Sequence, residues 1–592
     1  MKKVCCVNAA NVAYPVAAHN RPEVVHRVKQ VAGTGRLSLL FLLGVAFIAG
    51  VSPIPSRAQT LQWSTSCPAP PPGYPPDRLN EVECATLPVP LDYKNPNGAT
   101  INLAISRILS SDPTKRRGVL LSNPGGPGND GFDEPRLLFA MLPKSVLDEY
   151  DLIGFDPRFL HYSDPMTCGL SAEQTTQVSP PLPQPGGFDA TVAYMQNVAN
   201  SCINNSDSIL PFVTTENTAR DMDEIRKAIG ETQISYVGAS YGTYLGAVYA
   251  TLFPNQTDRF VLDSAVDPQW VWQTVFDAWG LGGQIRFPDF ANFAAANDAT
   301  YGLGNTPDEI NRLFFTLENE LNQRQSPVTV TVGPLVLVLD GPTFVEETFA
   351  GLAIDELFPT LAQVWQQLQQ QLNSSSVGAP NAGTIDTNVP TATSSVPSLQ
   401  PASSDTINTN VPLDNVPALQ LGILCGDTVW PKSIAEYKAR LEADSLAFPM
   451  FGALGSNIWA CAFWPTKNTP IAIRPNGPSN IMILENQRDP VTPYPGALQL
   501  NADLGQRTTF VSVDQGGHGV YLSTPNICAN NAATAFLASG TFPGGFVSCP
   551  ANLSTSQPNW NANAKFTDSE RERARQEFER LIKPPKFTVL KK

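Results

Sequence analysis

The sequence predicts an α/β protein built on a mostly parallel sheet with helices on both faces. Two observations carry this prediction. Apolar runs that suit buried strands alternate with helical patterns up to residue 268, and the same strand pattern returns at 480–522 after a long interruption. Such alternation is typical of a parallel sheet covered by helices. The interruption predicts a large, mainly helical cap inserted after the sixth strand.

The first half of the sheet is predicted from apolar runs separated by turns. Its strand-and-turn segments are INLAISRIL (101–109), GVLLSNPGGPG (118–128), YDLIGFDPR (150–158) and DRFVLDSAVDP (258–268). A helix is predicted at 216–230, where Gly230 is a stop signal. Before the last strand, QISYVGASYGTYLGAVYATLF (233–253) combines a strand, a tight turn and a helix.

The interruption is rich in Trp and Phe, and helices are predicted within it at 307–323 and 353–372. Its segment 373–416 is low-complexity Ser/Thr/Asn/Pro sequence with an imperfect repeat, TIDTNVP and TINTNVP, at 384–390 and 406–412. Because this composition cannot bury enough apolar surface to fold alone, we expect a loop there.

The predicted organisation has five parts. They are a signal peptide (1–58), the first half of the core (59–268), the cap (269–475), the second half of the core (476–550) and a C-terminal extension (551–592). Residues 59–80 are Pro-rich and are expected to be extended, and 567–582 is expected to be a packing helix.

An apolar run at 37–51 follows scattered basic residues and precedes Ser56-Arg57-Ala58, which suits a secretory signal cleaved after Ala58. The alternative is an uncleaved membrane anchor, for which the run is short. Cleavage would leave 32 basic and 52 acidic residues, a formal charge of −20. Such a surface repels nucleic acid and anionic lipid, so we expect neither as a partner. We also expect a secreted or periplasmic monomer.

Eight cysteines remain after the leader, and an even number in an exported chain predicts four disulfides. None has CxxC spacing, so no zinc site is expected, and nothing in the sequence calls for a cofactor. The sequence does not choose among the pairings. Pairing of sequential neighbours is our hypothesis: Cys67 with Cys84, Cys168 with Cys202, Cys425 with Cys461, and Cys528 with Cys549.

The turn Gly238-Ala239-Ser240-Tyr241-Gly242 has the pattern Gly-x-Ser-x-Gly, which is weak evidence alone. Its strand before and helix after supply the context of a nucleophile elbow, in which glycines allow a sharp turn and expose the serine hydroxyl. We therefore predict that Ser240 is a nucleophile. The alternative is an ordinary strand-to-helix turn.

A serine nucleophile needs a histidine base. Of four histidines, His19 and His26 lie in the leader, which leaves two. His518 lies in a Gly-Gly-His-Gly loop directly after an apolar strand, and we predict that it is the base. His161 follows the strand at 150–155 and is expected to be a structural loop residue.

The acid that orients the base should lie between serine and histidine in chain order, at the end of a strand. Asp489 meets both conditions, since the strand at 481–485 runs into Gln-Arg-Asp-Pro-Val-Thr-Pro. Asp263, at the end of another strand, is the chief rival, and Asp514 is a weaker one.

An oxyanion needs backbone N–H donors. One is predicted to be the amide of Tyr241, the residue after the nucleophile. The other is predicted in the loop Asn-Pro-Gly-Gly-Pro-Gly at 123–128, with Gly126 favoured and Gly125 as the alternative. A simple Gly/Pro turn would give the same sequence.

Six segments in this order, NPGGPG, DLIGFDPR, TARDMDEIRKAIG, YVGASYGTYLGAVYA, RDPVTP and GGHG, resemble the secreted tripeptidyl aminopeptidase branch of the α/β-hydrolases, which is related to the proline iminopeptidases. The resemblance covers roughly 60–550 and includes a TAP-like C-terminal region. It implies an α/β-hydrolase fold and a serine exopeptidase that removes short peptides from free N-termini. It also implies the triad Ser240, Asp489 and His518, and Cys461-Ala462-Phe463-Trp464-Pro465 matches the branch's Cys-x-x-Trp-Pro element.

One departure concerns the active-site mouth. Where the branch continues Asp-Pro-Arg-Gly-x-Gly, this chain has Phe159, Leu160 and His161 after Arg158, which raises the question of whether bulky side chains enter the substrate pocket. Acidic cap residues such as Asp427 are candidates to bind a substrate ammonium group. Two alternatives stay open: a carboxylesterase or lipase-like hydrolase of the same fold, and a non-catalytic binding protein.

Overall fold

A nine-stranded sheet forms the centre of the protein, in the order β1-β2-β4-β3-β5-β6-β9-β10-β11. The computed structural model describes residues 61–70, 81–183, 187–375, 410–551 and 573. Strand pairs β1–β2 and β2–β4 are antiparallel, and every other pair in this sheet is parallel. The strands are β1 (Glu83–Pro90), β2 (Thr100–Ile108), β3 (Gly118–Asn123), β4 (Tyr150–Phe155), β5 (Ile234–Ala239), β6 (Thr257–Asp263), β7 (Val328–Val332), β8 (Leu335–Leu339), β9 (Ile481–Arg488), β10 (Thr508–Gly516) and β11 (Gly545–Cys549).

Helices connect the strands and build the long segment between β6 and β9. They are α1 (Glu134–Met141), α2 (Lys144–Leu147), α3 (Ala172–Thr176), α4 (Phe188–Ser206), α5 (Thr215–Ala228), α6 (Tyr241–Leu252), α7 (Gln273–Asp277), α8 (Trp279–Ala296), α9 (Asp298–Tyr301), α10 (Pro307–Asn322), α11 (Gly341–Gly351), α12 (Phe358–Ser375), α13 (Asn415–Gly426), α14 (Ile434–Ala447), α15 (Gly452–Gly455), α16 (Tyr494–Leu504) and α17 (Ile527–Ser539).

Successive residues of the central strands belong to different apolar cores, one on each face of the sheet. On β3, Leu120 packs in the core that includes α1, α2 and α17, whereas Leu121 packs in the core that includes α5, α6 and α16. Side chains of a strand alternate between faces, so a strand covered on both sides must be apolar throughout. The predicted fold class, a mostly parallel sheet with helices on both faces, is confirmed.

The sequence analysis did not predict either edge strand, β1 or β11. β1 contains Pro88 and Pro90, and a strand with prolines is tolerated at a sheet edge because only one side of it needs backbone N–H donors. β11 has only five residues and is mostly exposed, so its apolar pattern is weak. Local patterns identify the buried central strands far better than short edge strands.

The cap lies between Asp263 and Ile481 in sequence and is mainly helical. Its apolar core is aromatic: the buried Trp365 ring lies within about 6 Å, centroid to centroid, of four phenylalanine rings, those of Phe287, Phe290, Phe314 and Phe344. The antiparallel hairpin β7–β8 was not predicted, although its alternating apolar residues around Gly333-Pro334 are a hairpin signal. We keep 269–475 as the proposed extent of the cap.

Helices α12 and α13 extend into both ends of the predicted loop 373–416, reaching Ser375 and beginning at Asn415. The repeat at 384–390 and 406–412, the signal segment 1–58 and the predicted helix 567–582 lie outside the described residues, apart from residues 410–412 and 573.

No helix in the described part of the chain has the length and apolar character needed to cross a membrane.

The described part of the chain contains four disulfides, and they join the sequential neighbours that the sequence analysis paired. They are Cys67–Cys84, Cys168–Cys202, Cys425–Cys461 and Cys528–Cys549. Bonds of this kind persist in oxidising compartments, which is consistent with an exported protein.

Glu134 is a buried acid in the first turn of α1, 1% exposed. Burial raises the pKa of its carboxyl group from 4.5 to about 8. The folded protein therefore retains this proton in a pH range where the unfolded chain loses it. The contribution of Glu134 to the free energy of unfolding is complete below about pH 4.5 and is lost as the pH rises towards 8.

We expect Glu134→Gln to reduce the fall in stability between about pH 5 and pH 8 by an amount on the order of a few kcal/mol, because the amide needs no proton to stay neutral. Urea denaturation at several pH values measures this. Glu173→Gln, at an exposed position on α3, is the matched control and should leave the pH dependence unchanged. Equal slopes for Glu134→Gln and the wild type would contradict the prediction.

Candidate active site

Ser240 lies at a sharp turn between β5 and α6, with φ 55° and ψ −122°. A non-glycine residue adopts this conformation only when its surroundings enforce it. The Ser240 N–H donates to the Asp263 carbonyl at 2.9 Å, and the Thr243 hydroxyl donates to the Ser240 carbonyl at 2.6 Å. These contacts hold the backbone of the predicted nucleophile from both sides.

The two glycines of the Gly-x-Ser-x-Gly turn are required by close backbone approach. A Cβ on Gly238 would lie 2.5 Å from the Gly242 carbonyl oxygen, and one on Gly242 would lie 2.5 Å from the Asn123 carbonyl oxygen. A side chain at Gly238 would clash with the turn itself, and one at Gly242 would push the turn away from the neighbouring loop. Packing in this turn therefore requires glycine at both positions, as expected of a nucleophile elbow.

His518 and Asp489 form a buried hydrogen-bonded pair, 1% and 2% exposed. The imidazole Nδ1 lies 2.7 Å from Asp489 Oδ2 and 3.2 Å from the Thr492 hydroxyl. Asp489 also accepts hydrogen bonds from the backbone N–H groups of Val491 and Thr492, at 2.7 and 2.9 Å, and from the Thr492 hydroxyl at 3.1 Å. A carboxylate so engaged is an acceptor only, so Nδ1 carries the proton and the Nε2 lone pair is available as a base.

The Nε2 atom of His518 is buried and has no hydrogen-bond partner among the described residues. A hydrogen bond from Ser240 to the imidazole is therefore not formed in this conformation. The two residues are linked through Thr492, which lines the cavity beside Ser240 and contacts His518 through its hydroxyl. Catalytic hydrogen bonds are often long without substrate and tighten when it binds.

The chief rival acid, Asp263, binds backbone N–H groups instead of the imidazole. Its carboxylate accepts the backbone N–H groups of Val520 and Tyr521, at 2.9 and 2.6 Å, and so holds the chain directly after the histidine loop. The weaker rival, Asp514, is exposed and pairs with Arg488 at 2.9 Å. Of the three candidate carboxylates, only Asp489 reaches the imidazole of His518 by a hydrogen bond.

A second buried carboxyl group, Glu485, lies close to Asp489. Burial, with the negative charges of Asp489 and Asp263, raises the pKa of Glu485 well above its usual value. One of its oxygens accepts the Ala265 N–H at 2.6 Å. Because Glu485 stays protonated, Asp489 can carry the negative charge that a protonated imidazole requires.

The predicted oxyanion donors meet at the start of α6. The Tyr241 N–H is at the first position of this helix, where backbone N–H groups have no partner within the helix. The Gly125 N–H donates to the Asn123 side-chain oxygen at 3.1 Å and is therefore engaged in this conformation, which favours Gly126. Gly126 lines the cavity beside Ser240 and remains the candidate.

The bulky residues at the mouth point away from the cavity. Phe159 and His161 take the left-handed conformation, φ 69° and 45°, at the two positions where the related branch has glycine. Asn415 of the cap holds this turn, donating to the Phe159 carbonyl and accepting the His161 N–H. Phe159 and Leu160 are buried, and none of the three lines the cavity beside Ser240. His161 Nδ1 lies 3.4 Å from Asp156, as expected for a structural histidine.

Asp427 does not offer a free carboxylate to a substrate ammonium group. It is buried and accepts three hydrogen bonds, from the N–H and hydroxyl of Thr215 and from Trp272 Nε1. The earlier suggestion of an ammonium-binding role is therefore wrong for this conformation.

The cavity beside Ser240 is small, about 30 Å³, which is enough for about one water molecule. Cap residues supply most of its apolar lining, namely Trp272, Val275, Phe276, Trp279 and Leu424. The cap also contacts the loops that carry Asp489 and His518, because Trp279 Nε1 donates to the Val491 carbonyl and the His518 N–H donates to the Ala353 carbonyl. The cap thus closes over the site.

Within the described residues, no group of three or more His, Cys, Asp or Glu side chains is arranged to hold a metal ion. The absence of a cofactor stays a prediction.

The parallel sheet, the elbow after β5 and the Asp–His pair on the loops after β9 and β10 define a serine hydrolase of the α/β-hydrolase fold. A family model described as TAP-like protein matches residues 448–549. Tripeptidyl aminopeptidase of Streptomyces lividans is 31% identical over 481 residues, which cover 79% of this chain and 83% of that relative. The chain therefore belongs to the tripeptidyl aminopeptidase family.

Two further relatives carry other names. Serine protease Hip1 of Mycobacterium tuberculosis is 29% identical over 490 residues, covering 79% of this chain and 87% of its own. Carboxylesterase B of the same organism is 28% identical over 481 residues, covering 78% and 86%.

We expect Gly125→Ala to destabilise the protein by at least about 2 kcal/mol and to lower kcat/KM more than about tenfold. Its φ is +97°, and an added Cβ would lie 2.5 Å from the Ala239 carbonyl and 3.0 Å from Ser240 Cβ. Thermal unfolding and steady-state kinetics measure both effects. Gly118→Ala, where an added Cβ meets nothing within 4 Å, should stay within about 0.5 kcal/mol of the wild type. Similar behaviour of the two variants would refute this account of the turn.

We expect Asp489→Asn to lower kcat by about 10⁴-fold with folding preserved, because the amide cannot stabilise the protonated imidazole or hold its tautomer. Asp514→Asn is the control and should change kcat less than about twofold, since its only described ionic partner is the partly exposed Arg488. Kinetics on one substrate with circular dichroism as a folding check measure both. A large loss in Asp514→Asn with a small one in Asp489→Asn would reverse the assignment.

Proposed function

We propose that this protein is a secreted serine peptidase that releases short peptides, tripeptides in the main, from free N-termini through an acyl-enzyme on Ser240. The observation that carries the proposal is the buried His518–Asp489 pair, in which His518 Nε2 is unengaged among the described residues and which Thr492 connects to the cavity beside Ser240. Identity of 31% to a protein named tripeptidyl aminopeptidase supports the substrate class.

The reaction follows from the residues. His518 Nε2 takes the Ser240 proton as the serine oxygen attacks the scissile carbonyl, and Asp489 stabilises the resulting imidazolium. The Tyr241 and Gly126 N–H groups stabilise the oxyanion. The imidazolium then protonates the leaving amine, and water, deprotonated by the same imidazole, releases the peptide from the serine ester.

The cap restricts access to Ser240. Its aromatic residues close the cavity beside the serine. Opening of the cap is needed to admit even a tripeptide, because the cavity is about 30 Å³.

Export is part of the proposal. The four disulfides, the predicted signal at 1–58 and the acidic residues 59–592 support a secreted or periplasmic protein that works without nucleic acid or stable membrane association. We propose that it acts as a monomer.

The second candidate is a carboxylesterase. The mostly apolar lining of the cavity and the 28% identity to a protein named carboxylesterase B favour it, and an elbow with a triad does not specify the leaving group.

Cleavage of a tripeptide amide, the same amide with an acetylated N-terminus, and a short-chain acyl ester distinguishes the candidates. We expect the enzyme to cleave the free tripeptide amide and to cleave the acetylated amide about 10²-fold more slowly or not at all. Mass spectrometry of a digested peptide library should show tripeptides as the products. Ser240→Ala should lower turnover on the order of 10⁶-fold while folding survives.

Rapid ester cleavage with inert amides would favour the carboxylesterase. A fluorophosphonate probe that fails to label the folded wild type at Ser240 would favour the non-catalytic binding protein.

A further inference from the structure

Helix α13 of the cap lies against the active site and is fixed at both ends. At its start, the buried Asp414 accepts hydrogen bonds from Thr167 Oγ1, Cys168 N and Leu170 N at 2.6 to 3.0 Å. At its end, the Cys425–Cys461 disulfide links it to the rest of the cap. Between these ends, Gln420 and Leu424 line the cavity beside Ser240. The helix thus brings Gln420 and Leu424 to the cavity and places Asp427 after its last turn.

Asp427 follows the last turn of α13 and is 5% exposed. Its Oδ1 accepts the Thr215 N–H at 2.7 Å, and its Oδ2 accepts the Thr215 hydroxyl at 2.7 Å and Trp272 Nε1 at 3.1 Å. Such a carboxylate is costly to bury, and three donors from two different parts of the chain compensate for that cost. The contacts join the cap to the first turn of α5.

The chain of hydrogen bonds continues to the nucleophile elbow. The Thr215 hydroxyl lies 2.8 Å from the Tyr241 hydroxyl. Because the Thr215 proton is donated to Asp427, the threonine oxygen must accept from Tyr241. The direction of the chain is thus fixed, from Tyr241 to Thr215 to Asp427.

The hydrogen bonds of Asp427 lead through Thr215 to Tyr241 and directly to Trp272, and both of these residues line the cavity beside Ser240. Tyr241 supplies the candidate oxyanion N–H, and its ring is buried against Trp272, 5.7 Å between centroids. Trp272 lines the cavity beside Ser240. The mechanism described above needs the Tyr241 amide in place but gives no role to its hydroxyl or to the carboxylate of the cap.

We propose that Asp427 is a positioning residue that, through Thr215 and Trp272, orients Tyr241 and so the oxyanion N–H, making full activity dependent on a closed cap. The proposal rests on the proposed function, since it assumes that Ser240 forms a tetrahedral intermediate. A shift of a donor by about 1 Å weakens charge stabilisation steeply, so loss of the network lowers kcat more than it changes substrate binding.

The main test is Asp427→Asn, which keeps the size of the side chain but turns one acceptor into a donor. We expect kcat to fall on the order of tenfold with KM within about twofold of the wild type, on both a tripeptide amide and an activated ester. The fall should be smaller than the roughly 10²–10³-fold loss seen when an oxyanion donor itself is removed.

Thr215→Val and Thr215→Ser separate positioning from general damage. Valine keeps the volume and the N–H bond to Asp427 but cuts the link to Tyr241, and it should reproduce the kcat loss. Serine restores the hydroxyl and should restore at least half of the activity. In a double mutant with Asp427→Asn, Thr215→Val should add little further loss, because the two substitutions cut one chain.

Asp414→Asn is the matched control. Asp414, like Asp427, is a buried carboxylate at one end of α13 that accepts three hydrogen bonds. Its donors belong to residues 167–170, however, and not to residues that contact Tyr241. We expect its kcat to stay within about twofold of the wild type.

Unchanged kcat in folded Asp427→Asn, or an equal loss in Asp414→Asn, would overturn the proposal. If Asp427→Asn does not fold, the Thr215→Val and Thr215→Ser pair decides, and equal activity of the two would overturn it. Fluorophosphonate labelling of the wild type at Ser240 checks the underlying function separately: without labelling, both proposals fail, whereas labelling with unchanged kcat in the variants removes only this one.

Discussion

The backbone turn at Ser240 is the constraint on which the rest of the site depends. A residue with φ 55° is stable only because Gly238 lets the turn fold tightly on itself, Gly242 lets the neighbouring loop come within contact distance, and Asp263 and Thr243 hold the turn by hydrogen bonds. The same turn starts α6 and exposes the first helical N–H group to the place where negative charge would develop. Strain at the serine and stabilisation of an oxyanion are thus two consequences of one local geometry.

The electrostatic environment of His518 depends on three neighbouring carboxyl groups that make different contacts. Asp489 meets the imidazole, Asp263 holds the following backbone N–H groups, and burial keeps Glu485 protonated. Three ionised carboxylates so close together would repel each other in a buried site. Backbone donors and a retained proton leave one negative charge facing His518, which is the charge that a transient imidazolium needs.

The cap is a structural part of this site as well as its cover. It contacts the loop of Asp489 through Trp279, the loop of His518 through Ala353, and the start of α5 through Asp427. Because these contacts reach both catalytic loops, movement of the cap would change the geometry around Ser240 as well as access to it. The small closed cavity and the unformed Ser240–His518 hydrogen bond describe the protein with its cap shut.

The sequence by itself determined the central strands and the tight turn at Ser240, because apolar periodicity and turn glycines are local signals. It left edge strands β1 and β11 undetected, because β1 contains two prolines and few residues of the short β11 are buried. Only the tertiary structure decided that Asp489 rather than Asp263 meets His518, that the Gly125 N–H is already engaged, and that Phe159 to His161 turn away from the cavity under the control of Asn415. Each of these outcomes depends on contacts between residues close in space, several of them far apart along the chain, and no local pattern specifies which of several suitable partners will lie within hydrogen-bond distance.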